Sequence, residues 1–165
     1  MFADRTDAGE QLADLLEQRG VEADVVLAVP RGGLPLGRVV ADRLDAPLDV
    51  VVAKKMGAPH NPELAIGAVG ADGSAWINDD IVDRLGADDE YVEAEREQKA
   101  EEAREKSDLY REGQPVPDLE GERVLVVDDG VATGATTIAC LRQVENAGAA
   151  HVVLAVPVGS PDSIE

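Results

Sequence analysis

The chain has 165 residues, with 34 acidic against 15 basic side chains and a formal net charge of −19 at pH 7. Such a balance argues against general nucleic-acid or anionic-membrane binding, which needs a basic footprint. No apolar run is long enough to span a bilayer, the first residues do not read as a signal peptide, and the length suits one domain burying roughly 70% of its unfolded surface.

In chain order, the first twenty residues are helical in pattern, with Leu12, Leu15 and Leu16 on one face and Gly20 as the stop. DVVLAV, residues 24–29, reads as a buried strand and runs into Pro30-Arg31-Gly32-Gly33, with a helix expected from about Leu34 to Leu44. The glycines open the backbone there, and Arg31 offers a planar, always-charged fork suited to bidentate phosphate contact. Taken alone, PRGG reads equally well as a tight structural turn.

Residues 48–53 form a second apolar strand ending in Lys54-Lys55. Half of the four lysines stand there, at the expected carboxyl end of a parallel strand, where ligands collect in open α/β sheets. An anion-binding pair is favoured over a solvated loop entrance. Residues 56–63, rich in turn formers, read as a mobile loop in which His60 is first of all an exposed histidine.

Residues 65–70 and 74–77 read as a hairpin around Asp72-Gly73, with Trp76 in its packing. Asn78 can cap a short helix through Leu85, with Asp79 and Asp80 favourable in its first turn. Residues 88–112 form a long charged helix without a coiled-coil seam, since Val92, Glu95, Lys99 and Glu102 make a polar stripe. An exposed helix lying along the domain is the first reading and a homodimer arm the second. Residues 114–121, with two prolines, link onward.

VLVVDDGVATGATT, residues 124–137, is the most informative stretch. An apolar β-branched run ends in Asp128-Asp129, a small-residue loop follows, and a helix is expected from about Thr136 to Ala147. A helix start attracts phosphate through its backbone N–H groups and dipole. Gly134 permits close approach, and Thr133, Thr136 and Thr137 add hydroxyls. Carboxylates would repel that phosphate, so Asp128 and Asp129 suit sugar hydroxyls or a metal's water shell. Without a lysine after the glycine this is no Walker loop, and without three spaced glycines it is no dinucleotide fingerprint. His151 to Val156 is a fourth apolar strand, with His151 at its surface end.

These residues resemble the type I phosphoribosyltransferase signature, in the manner of a haloarchaeal-type member whose acceptor is unassigned. The resemblance covers residues 24–158 and implies an α/β fold, a doubly wound parallel sheet. The whole of 1–165 would be one domain, with a hairpin and charged helix inserted at 63–113. It implies that Asp128 and Asp129 bind the ribose hydroxyls of phosphoribosyl pyrophosphate (PRPP), and that Ala132, Thr133, Gly134, Ala135, Thr136 and Thr137 cradle its 5′-phosphate. Arg31, Gly32 and Gly33 would hold the pyrophosphate, with a cis peptide at Pro30-Arg31, and Lys54 or Lys55 would neutralise it as it leaves. Residues 56–63 would close over the substrate, with His60 as an acid or pyrophosphate ligand in second place. Gly130-Val131 departs from the hydrophobic pair common after the acids, at positions that need no side chain. A further βα unit is usual after the fourth strand, so the sequence reads as a truncated form.

The implied reaction is transfer of a 5-phosphoribosyl group to a nucleobase-like acceptor with release of pyrophosphate. Mg²⁺ would be carried mainly by substrate and water, with Asp128 and Asp129 as its protein-side candidates. A PRPP-binding sensor and a phosphosugar hydrolase on a similar sheet are the alternatives. The single cysteine, Cys140, cannot form an internal disulfide, and a reducing cytoplasmic setting is the default. Dense carboxylates, eleven arginines to four lysines and few aromatics suggest adaptation to high salt, where self-repulsion is screened.

Overall fold

The computed structural model describes residues 5–112, 114, 117–130 and 134–157. The element order is α1 (Arg5–Gln18), β1 (Val25–Ala28), α2 (Gly33–Leu44), β2 (Leu48–Val50), β3 (Ala53–Ala58), β4 (Asn61–Gly70), β5 (Ala75–Ile77), α3 (Asp79–Leu85), α4 (Asp89–Arg111), β6 (Arg123–Val127), α5 (Ala135–Asn146) and β7 (His151–Ala155). Among the described residues two compact units emerge. One holds the chain up to Val51, residues 117–130 and Val144 onward; the other holds Val52 to Gln114 with Gly134 to Gln143.

The first unit is built on a four-stranded parallel sheet in the order β2-β1-β6-β7. All four residues of β1 are buried, as are Val124 to Val127 of β6, as their unbroken apolar runs require of central strands. The edge strands β2 and β7 are only partly covered. Leu12 and Leu16 of α1 and Leu36 and Val40 of α2 close over Val26, Leu125 and Val127. Gly20, at φ +69°, follows α1 as the sequence suggests. At the amino edge, Arg123 donates to Asp24 (3.0 Å) and to Glu22 (2.6 Å). The guanidinium holds the Asp24 carboxyl down at about 2, so it stays charged throughout the neutral range.

The second unit contains a three-stranded antiparallel sheet, β3-β4-β5. The hairpin at 65–77 is present, with Ala68 opposite Trp76. Asn78 caps α3 by accepting the Ile81 N–H (3.3 Å), and Asp88 caps α4 by accepting that of Tyr91 (2.7 Å). Two expectations are corrected. The apolar run from residue 48 does not form one strand to residue 53: β2 stops at Val50, and β3 opens a different sheet at Ala53. Residues 56–63, expected as a mobile loop, are instead the end of β3, a Pro59-His60 turn and the start of β4, with Ala58 opposite Asn61. His60 is exposed and carries φ +63° in that turn.

The charged helix lies on this sheet. Ala100, Ala103 and Ser107, spaced i, i+3, i+7, form its buried face. Ala100 meets Met56, Ile66 and Val69, while Tyr91 and Val92 flank the same cluster. Small side chains let the helix sit close to the strands; many of its charged residues face outward, while Lys99 and Glu102, paired at 3.1 Å, are half-buried at the flank of the packed face. Among the described residues no helix is long and apolar enough to cross a membrane.

Candidate active site

In the first unit, β1 and β6 run parallel and end side by side, with Ala28 in register with Val127. The chain segments leaving them, 29–33 and 128–130, are therefore neighbours. The Val29 N–H donates to the Val127 carbonyl (2.9 Å), and the Gly33 N–H donates back to the Val29 carbonyl (2.9 Å), turning the chain into α2. The Pro30-Arg31 peptide is cis, as the resemblance implies. Arg31 is exposed.

The two glycines of PRGG are there because the end of β6 and the acid after it leave no room for side chains. A Cβ on Gly32 would collide with the Asp129 carboxylate, which lies directly over that residue. One on Gly33 would stand 2.7 Å from the Val127 carbonyl oxygen and 3.3 Å from the Asp128 Cα. Gly32 is the N-cap of α2, without a side-chain cap. The Asp129 carboxylate is thus placed at a helix amino end, where the dipole favours negative charge. Asp128 is buried at 8% relative exposure, and its Oδ1 accepts the Asp129 N–H at 2.8 Å. That bond fixes the orientation of the Asp128 side chain, since it ties it to the backbone of Asp129.

In the second unit, Gly134, at φ +85°, leads into α5, and the Ile138 N–H closes its first turn on the Gly134 carbonyl at 2.8 Å. Gly134, Ala135, Thr136 and Thr137 therefore form the amino end of that helix, with Ala135 and Thr137 buried. Ala132 and Thr133, assigned to the same cradle from the sequence, lie outside the described residues. Cys140 is buried, consistent with packing.

Lys54 and Lys55 are not at a strand end; they stand inside β3. Alternation along the strand sends them to opposite faces of the antiparallel sheet. Lys54 is paired with Val69, whose face carries α4, whereas Lys55 is paired with Ala68, whose face carries Ala135 and Ala139 of α5. Lys55 is exposed and Lys54 partly covered. A continuous apolar run gives no sign of which face each residue takes, so the sequence left the two lysines equivalent.

For a divalent cation, no group of three His, Cys, Asp or Glu side chains stands together among the described residues. The adjoining Asp128 and Asp129 carboxylates, the latter lying over Gly32, nevertheless provide hard oxygen donors of the kind Mg²⁺ takes. They fit an ion whose remaining ligands come from substrate and water.

A model of the phosphoribosyl transferase domain matches residues 5–165. Mycobacterium tuberculosis proteins provisionally named as a phosphoribosyl transferase are 45% identical over 164 residues, which is 99% of this chain and 37% of theirs. The chain thus spans little more than a third of the length of these curated relatives. A crystal structure of a Thermus thermophilus protein is 44% identical with a TM-score of 0.81, covering 99% of this chain and 78% of that one. A purine phosphoribosyltransferase from Pyrococcus horikoshii shares the fold at 22% identity and a TM-score of 0.52, covering 93% of this chain and 71% of that one. By the match of the domain over nearly its whole length, this chain belongs to the phosphoribosyl transferase domain family.

Proposed function

We propose that the chain carries a single PRPP-dependent phosphoribosyltransferase domain, with 63–113 as its insertion, which transfers the 5-phosphoribosyl group to a nucleobase-like acceptor. The observation that carries this reading is the seating of the Asp129 carboxylate over Gly32, which joins the acidic pair to the PRGG loop in one place. In the reaction a nucleophile, typically a ring nitrogen, forms a bond to C1 of PRPP while the bond from C1 to the pyrophosphate oxygen breaks. Positive charge grows on the ribose and negative charge on the leaving group, so the protein's part is positioning and electrostatics.

Asp128 and Asp129 accept hydrogen bonds from the ribose hydroxyls, and their negative charge favours a cationic ring. Arg31, with the backbone of Gly32 and Gly33, holds the pyrophosphate. The segment 132–137 takes the 5′-phosphate; only four residues of sequence separate Asp129 from Gly134. Lys54 or Lys55 would neutralise the departing pyrophosphate, as the resemblance implies. Mg²⁺, when bound, would neutralise pyrophosphate and ribose oxygens beside Asp128 and Asp129.

The test is pyrophosphate release from PRPP with Mg²⁺ and a panel of purines and pyrimidines. Release that depends on one base supports the transferase. Phosphate release without a base would replace it with a phosphosugar hydrolase, and PRPP binding without turnover on any base would replace it with a sensor.

The acidic surface supports a second element of the reading, adaptation to concentrated salt. At a net charge of −19 self-repulsion is large in dilute buffer, whereas at 1 M salt the Debye length is only about 3 Å. Circular dichroism should show unfolding on transfer from concentrated KCl to dilute buffer. Unchanged stability across that range would remove the halophilic element.

A further inference from the structure

By sequence order α5 is the crossover from β6 to β7 of the parallel sheet, yet its residues up to Gln143 group with the antiparallel sheet. Three contacts hold it there. Ala135 and Ala139 pack on Ala68, flanked by Ala53 and Trp76. Arg142 Nη1 donates to the Ala75 carbonyl (2.8 Å). Gln143 Oε1 accepts the Ala71 N–H (2.9 Å) and occupies the space that a Cβ on Gly70 would fill.

The segment these residues grip, 70–75, is itself braced. Asp72 accepts the Ser74 N–H (2.9 Å) and hydroxyl (2.6 Å), and the Gly73 N–H donates to the Gly70 carbonyl (3.0 Å). From α4, Arg104 Nη1 donates to the Ala71 carbonyl (3.0 Å) and Arg96 Nη1 to that of Gly73 (3.1 Å). Each arginine is also paired on its own helix, Arg96 with Glu93 and Arg104 with Glu101. A tight turn is thus clamped between two helices, one of which begins at Ala135.

We propose that Gln143, seated on the 70–75 turn, is a positioning residue that sets the axial and rotational placement of the phosphate-binding start of α5. This rests on the reading of Gly134–Thr137 as part of the phosphate cradle. The physical basis is rigidity: a continuous helix from 135 to 146 passes any slip at Gln143 to its first turn undiminished. Shifts of about 1 Å in groups that hold a reacting substrate are costly. Gln143 is suited to the task because it meets a backbone N–H in a glycine-made recess, which fixes depth as well as direction. No sequence signal marks it, since a lone glutamine in a helix reads as solvated surface.

The experiment compares Gln143→Leu, Gln143→Glu and Gly70→Ala at high salt. Two readouts are taken: amide hydrogen exchange, and the affinity for PRPP with Mg²⁺ by calorimetry. Loss of one hydrogen bond should raise the Kd of Gln143→Leu about fivefold to tenfold and speed exchange at residues 134–138, with β1 and β6 unaffected. Gln143→Glu keeps the accepting oxygen and should restore both readouts to within about twofold. Gly70→Ala displaces the carboxamide from the other side and should give the same local signature, with the double variant no worse than either single.

Wild-type affinity and exchange in Gln143→Leu would overturn the proposal, as would exchange raised uniformly across the chain. If Gln143→Leu does not fold, Gly70→Ala decides by the same criteria. Absence of PRPP binding in the wild type would instead overturn the transferase reading, and the exchange pattern alone would then decide whether Gln143 positions α5.

Discussion

Replacing either Asp128 or Asp129 with asparagine is expected to lower PRPP-dependent turnover by more than about tenfold, because charge-assisted hydrogen bonds to the sugar are lost. The geometry makes the two losses different in kind. Asp128 is buried and already gives Oδ1 to the Asp129 N–H. An asparagine there would keep that bond through its oxygen and turn its NH₂ outward, presenting a donor where the ribose needs an acceptor. Asp129 lies over Gly32 at the amino end of α2, so its asparagine would keep the shape but lose the charge that the helix end favours. Steady-state kinetics on both variants, with circular dichroism to confirm folding, make the check. Near-wild-type turnover in both would remove the acidic pair from the site.

The second large effect separates the two glycines of PRGG. Gly33→Ala brings a methyl group to 2.7 Å from the Val127 carbonyl and 3.3 Å from the Asp128 Cα, both backbone atoms that cannot swing aside. Overpacking of this kind costs about 1–3 kcal/mol, or roughly 2–12 °C in Tm for a chain of this size. It also moves the strand end that carries the acids, so activity should fall with stability. Gly32→Ala meets only the Asp129 carboxylate, which can rotate away. Its Tm should stay within a few degrees of wild type, while turnover drops toward that of Asp129→Asn. A Gly32→Ala protein with full activity would break the link between the acidic pair and the loop.

Much of this arrangement was legible in the chain because buried parallel strands leave unbroken apolar runs. VVLA and VLVV mark β1 and β6, and the residues directly after them are the ones the folded site brings together. Helix ends were legible through Asn78 and Gly20, where capping chemistry is local. The stretch 48–58 was not, for the same reason that the strands were: an apolar run carries no period. It gives no notice that one strand ends at Val50 and another begins at Ala53 in a different sheet.

The Pro59-His60 turn is hidden in a stretch so rich in turn formers that it reads as one loop, and its positive φ falls on a histidine rather than on a glycine. The register irregularities on either side of Gly57 blur the alternation that would have revealed a hairpin. On α4 the stripe through Glu95 and Lys99 is half-buried beside the packed face, whose fully buried positions are only alanines and a serine and so carry little apolar signal. Gln143 was invisible because its role depends on a turn 72 residues away in the chain.

The most direct measurement is a crystal structure with PRPP and Mg²⁺. The expected result is a ribose whose hydroxyls lie within hydrogen-bond distance of Asp128 and Asp129, with pyrophosphate at Arg31–Gly33 and the 5′-phosphate at the start of α5. PRPP bound away from the acidic pair, or seated with its ribose reversed so that a phosphate faces Asp128 and Asp129, would contradict it.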